Sequence, residues 1–272
     1  MEASRPANAA RAAAKVPIRT ITAQDLRAAL AEGFADFNAK RGDLLFIGLL
    51  YPLIGLVAAW VALGDPILPL LFPLAAGLSL LGPLVSTGFY ELARRREAGL
   101  ESSWWHFLDV RKSPSLEGIV AVGIVLIALF GAWVASAGAI YWLFIGPQVP
   151  ISAGDFLTRL FATPEGWAMM IAGNLVGLAF AVVVLAVSVV SLPMLIDKDV
   201  DAGTAIATSV RAVRHNGRVM LRWGAMVAGL LILGTLPLFL GLAFVLPVLG
   251  YATWHLYTRL VEREGLPPAH GA

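Results

Sequence analysis

The sequence predicts an all-α fold: a polytopic membrane bundle of six transmembrane helices, paired as three hairpins, each preceded by a short cytoplasmic amphipathic helix. Three observations lead there. Long apolar stretches lack charge, basic residues collect on alternate connections, and one polar-to-apolar unit recurs three times. Of 272 residues 58% are hydrophobic and 14% charged, with a mean hydropathy of +0.79, against about 25% charged in an ordinary soluble domain.

Residues 1–21 read as a loose basic tail, because "ANAARAAAKV" offers no apolar face to bury. The first amphipathic helix follows in "TAQDLRAALAEGFADFNAKRG", where Leu26, Leu30, Phe34 and Phe37 recur at helical spacing and Thr22 with Asp25 suits an N-cap. The stretches 44–64, 66–90, 118–146 and 167–196 are each uncharged and reach the roughly 20 residues that cross a bilayer core. Between the second and third spans, "SSWWHFLDVRKS" gives a shorter amphipathic helix on Trp104, Phe107, Leu108 and Arg111. Between the fourth and fifth, "TAIATSVRAVRHNG" sets Ile206, Val210 and Val213 against Thr204, Thr208, Arg211 and His215. Each inner segment closes on a basic, chain-breaking signal, "KRGD", "RKSP" or "RHNG", so the repeating unit is interfacial helix, span, tight outer turn, span.

Residues 223–258 hold no Asp, Glu, Lys or Arg and are too long for one span at about 1.5 Å per residue. Pro237 in "GTLPLF" marks the break, giving spans near 219–237 and 238–258. The membrane domain therefore covers 22–262, and 263–272 form a cytoplasmic tail. With six spans and an internal N-terminus, 19 of the 20 Lys and Arg fall on inner segments and only Arg159 on an outer loop. That asymmetry puts both termini in the cytoplasm. The net charge of +2 is spread over four inner segments, so it serves orientation and no nucleic-acid partner is expected. Forty-three mostly polar residues precede the first apolar run, so no cleavable signal peptide is expected.

The absence of cysteine excludes disulfides, thiolate catalysis and Cys-ligated metals. The histidines, His106, His215, His255 and His270, all lie outside the middle of a span, which argues against bound haem, and no "GxSxG", HExxH or P-loop pattern occurs. No enzyme activity and no cofactor are expected. Pro83, Pro193 and Pro247 each precede an ionisable residue by eight positions, Glu91, Asp201 and His255. These join Asp197, Asp199 and Arg211 as candidate functional residues at the inner mouth, against the plainer reading that they mark the membrane exit and cap the next helix. Asn174, between Gly173 and Gly177, is the costliest polar residue within a span, either interhelical packing glue or a substrate contact.

The stretches 82–111, 191–226 and 246–261, with the opener "DLRAALAEGFADF", resemble a family of predicted bacterial integral membrane proteins, domain of unknown function 2189. The resemblance implies a bacterial inner-membrane protein without an established activity, although some relatives are labelled putative cytochrome oxidase subunits. The family often carries a histidine where this chain has Tyr251 and a proline where it has Gly217, so no catalytic residue carries over. The leading expectation is an accessory, assembly or scaffold component whose partners are membrane lipids and another membrane protein. The alternative is a transporter or a protein handling lipids or small molecules between hairpins.

Overall fold

The structure is a computed structural model that describes residues 16–39, 53, 80–147, 153–237 and 239–269. The expected span 44–64, Leu53 excepted, and most of 66–90 lie outside the described residues. Apart from two isolated bridges, Ile18 with Val261 and Lys198 with Pro268, the regular elements among the described residues are helical.

Helix α1 spans Ala23–Ala39. Its start is set as the sequence proposed, since Asp25 accepts hydrogen bonds from the Thr22 N–H and hydroxyl at 2.7 and 2.8 Å. Helix α2 (Gly82–Val85) carries Pro83 in its first turn, where the missing N–H costs nothing, and α3 (Thr87–Glu97) follows after Ser86. A 3-10 helix, Trp104–Lys112, then leads to α4 (Leu116–Phe144). Helix α5 (Ala153–Ala162) precedes α6 (Pro164–Ser188), which Thr163 caps by accepting from the Gly166 N–H. Helix α7 (Ser191–Asp197) carries on from α6 after a break at Val189–Val190. Helices α8 (Ala202–His215), α9 (Gly217–Thr235) and α10 (Leu242–Leu260) complete the order.

Among the described residues three stretches, Leu116–Phe144, Pro164–Asp197 and Gly217–Thr235, are long and apolar enough to cross a membrane. Only 17–33% of each apolar window is buried within the protein, so most of their apolar surface faces outward, as a lipid solvent allows and water does not. The helix break falls where Pro237 placed it: α9 stops at Thr235 and α10 starts at Leu242. Gly234 and Gly241 meet there so closely that a Cβ on Gly241 would lie 2.8 Å from the Gly234 Cα.

The core sits at the charged ends of the helices. Helices α3, α7 and α10 contact one another, and each has a flanking helix: the 3-10 helix against α3, α8 against α7, and α1 against α10. Leu92, Leu192, Met194, Leu195, Tyr251, Trp254 and Tyr257 fill the space between them and are 0–1% exposed.

Several expectations are corrected. The connection between α4 and α6 is no tight turn, since it contains the ten-residue α5. The buried face of α1 is Leu26, Ala29, Gly33 and Phe37, while Phe34 is 56% exposed. Small residues win because α1 packs against the backbone of α10: a Cβ on Gly33 would come within 2.5 Å of the Ala252 nitrogen. Helix α8 likewise buries Ala205, Thr208, Ser209, Ala212 and Val213, leaving Ile206 and Val210 only half-buried. Residues on either side of the 22–262 interval also pair with the folded body. Arg19 N–H donates to Leu260 O and Glu262 N–H to Pro17 O, while Asp199 N–H donates to Pro267 O and Ala269 N–H to Asp197 O, so residues 17–19 and 267–269 are stitched on.

Candidate functional site

Helix α10 ends in a charged hub built from residue spacing. His255 and Arg259 lie one turn apart on α10, and Glu32 and Asp36 lie one turn apart on α1. Asp36 stands 2.7 Å from His255 Nε2 and Glu32 stands 3.3 Å from Nδ1 and 2.6 Å from Arg259. The two acids face opposite ring nitrogens, so they bridge helices and do not converge on one point. Arg96 at the end of α3 adds a guanidinium contact to Asp36 at 2.8 Å. Next to it, Glu97 accepts from Trp254 Nε1 at 2.9 Å and from Arg263. Burial works to raise the Glu97 carboxyl, yet the hydrogen bonds from Arg263 and Trp254 outweigh it and hold the group below its ordinary range.

Each candidate from the sequence has a definite place. Glu91, 2% exposed on α3, is gripped by both arms of Arg94 at 2.8 Å with Arg95 at 3.7 Å. Asp197, at the end of α7, accepts from the Tyr257 hydroxyl at 2.8 Å, with Arg263 at 3.6 Å and Lys198 at 3.8 Å. Asp199 is exposed. Asp201 is the N-cap of α8, accepting from the Thr204 N–H at 2.9 Å and hydroxyl at 2.6 Å, and these bonds depress its carboxyl. Arg211 donates to Thr208 Oγ1 at 3.3 Å and lines a groove with Arg214 and His215. Asn174 is exposed on α6 and donates back to Met170 O at 2.8 Å, so the hydrogen bond described for it is intrahelical. Gly177 does permit close approach, to the Trp133 ring of α4.

The positions eight residues after each proline are thus held by different partners: an arginine for Glu91, a helix N-terminus for Asp201, and two acids for His255. Glu91 and His255 are therefore engaged by separate partners. Sequence reading did not name Glu32, Asp36, Arg96, Glu97, Trp254, Tyr257, Arg259 or Arg263 as site residues, and these make the hub. The matched one-turn spacing of acids on α1 and bases on α10 was the available signal. Among the described residues no group of three or more His, Asp or Glu is arranged to hold a metal ion.

Residues 71–197 match the model of a family described as "Predicted integral membrane protein (DUF2189)". The match takes in the stretch 82–111 and ends within the stretch that begins at Ser191. No curated protein and no solved structure matches the chain.

Proposed function

We propose that the chain is a multi-pass protein of the bacterial inner membrane that performs no chemistry of its own and serves as an accessory, assembly or scaffold component. The finer arrangement is six spans as three hairpins, the hub and both termini facing the cytoplasm. Its support is the recurring amphipathic unit, the basic bias of the inner segments, and the flanking helix beside each of α3, α7 and α10.

One observation carries the functional reading: ion pairs and charge-assisted hydrogen bonds join α1, α3, α7, α10 and Arg263 into one body. A transporter that alternates access must part its helix ends, and parting them here would break several of these contacts together. A fixed platform suits a docking role, and Trp105 (52% exposed) and Leu108 (53% exposed) stand outward from it. Native mass spectrometry of the protein extracted gently from its own membrane tests the reading. A stoichiometric second protein is expected, and Trp105→Ala with Leu108→Ala should release it without lowering the unfolding temperature. A chain that comes off alone, in any oligomeric state, overturns the accessory role.

A further inference from the structure

Two groups of basic residues among the described residues contrast. Around the hub, Arg94, Arg95, Arg96, Arg259 and Arg263 each meet a carboxylate. Across the junction of α8 and α9, Arg211, Arg214, Arg218 and Arg222 form no ion pair among the described residues, and His215 lies beside them. Like charges three and four residues apart on a helix repel one another. An unneutralised run of this kind is an electrostatic footprint for an anion.

Three of these side chains share a groove. Arg211, Arg214 and His215, on one face of α8, form one wall, and Val16, Pro17 and Ile18 form the other, around a volume of about 610 Å³. The geometry is fixed from both sides. Thr20 Oγ1 and His215 Nε2 share a hydrogen bond of 2.8 Å, and buried Asn216 accepts from Ile21 N–H at 2.9 Å while donating to Arg19 O at 3.1 Å. The residues that place the apolar wall are therefore anchored to the end of α8 itself.

We propose that this groove binds the phosphate headgroup of an anionic phospholipid, with Arg211 and Arg214 as the guanidinium ligands and His215 as a further hydrogen-bonding group. Guanidinium forks match phosphate oxygens in pairs. A lipid is favoured over a free phosphate by position and by wall chemistry. Helix α9, apolar enough to span, begins at Gly217, immediately past the groove, and Leu221 in its second turn is 54% exposed. The groove thus lies where a span meets its interface, and its Val-Pro-Ile wall suits the glycerol and first acyl carbons. The first fifteen residues carry Arg5, Arg11 and Lys15 against Glu2 alone, so that stretch is electrostatically unsuited to fill a cationic groove. The inference rests on the proposed placing of this end at the inner leaflet and is independent of the accessory role.

The test uses the purified full chain in zwitterionic detergent, titrated with dioleoylphosphatidylglycerol or dioleoylphosphatidylcholine and read by native mass spectrometry. Wild type should retain the anionic lipid at least tenfold more tightly than the zwitterionic one. Arg211→Gln with Arg214→Gln should remove that preference, while Arg218→Gln with Arg222→Gln, the same loss of charge outside the groove, should keep most of it. Equal loss in both double variants, or none in the first, overturns the site. Inorganic phosphate at millimolar concentration should fail to displace the lipid; full displacement would reassign the groove to soluble phosphate. A headgroup-photoreactive phosphatidylglycerol should label peptides containing residues 16–18 and 211–215 of the wild type. That readout stands even if the groove variant does not fold, and labelling confined to other segments refutes the proposal.

Discussion

At the residue scale, the hub is held by a few part-buried contacts that close across long sequence separations. Asp36 is shared between His255 and Arg96, and its side chain is 16% exposed, so removing its charge takes the carboxylate from the Arg96 guanidinium and from the His255 ring together. Asp36→Asn should lower stability by about 1–3 kcal/mol, and a double-mutant cycle with His255→Gln should return a coupling of roughly 0.5–3 kcal/mol in denaturant unfolding. Additive losses would mean that the pair is not formed. Glu97 gives a pH signature. Its folded carboxyl titrates below the ordinary value, so its contribution is complete above about pH 4.3 and is lost as pH falls through the folded value. The stability difference between wild type and Glu97→Gln should therefore be level above pH 5 and shrink below about pH 4.3. A difference that grows on acidification contradicts the Arg263 and Trp254 bonds. This layer was the least legible in the sequence. Asp201 could be read as a cap because its donor lies three residues away, whereas Asp36 and His255 are 219 residues apart and only the spacing of charges on each helix hinted at the match.

At the scale of elements, apolar length and proline placement read correctly for α4, α6 and the break between α9 and α10, since both depend on local chemistry. The inward faces of α1 and α8 were misread for the opposite reason. Periodicity picks out the largest apolar residues, but these helices approach their neighbours so closely that Gly33, Ala29, Ala205 and Ala212 face inward and Phe34 is turned out. Gly33 states the case most sharply. Because its missing Cβ faces the Ala252 backbone, which cannot swing aside, Gly33→Ala should push α1 off α10 and destabilise by about 1–3 kcal/mol. Gly131→Ala in α4, where no described atom lies within 4 Å, should instead be neutral or gain about 0.5–1 kcal/mol from helix propensity. Thermal unfolding of the two variants in one detergent separates these outcomes, and equal effects would refute the close crossing.

At the scale of the whole molecule, the order of the flanking helices says something that the linear repeat does not. The helix beside α3 is the one that follows it, and the helix beside α7 is the one that follows it, but beside the last exit helix, α10, lies the first, α1. The described chain places its first helix against its last, so it is closed head to tail, and the stitching of residues 17–19 to 260–262 completes that closure. Closure requires both ends of the described chain to lie on one side of the membrane. The proposed topology is testable directly, because the chain has no cysteine and every engineered thiol reports alone. In sealed, inside-out vesicles, exposed single substitutions Asp199→Cys, Glu101→Cys and Glu264→Cys should all react with a membrane-impermeant maleimide, and Glu165→Cys at the start of α6 should react only after the vesicles are opened. Under a five-span arrangement position 264 would change sides relative to 101 and 199. Labelling of Glu264→Cys in step with Glu165→Cys would therefore break both the six-span count and the head-to-tail closure.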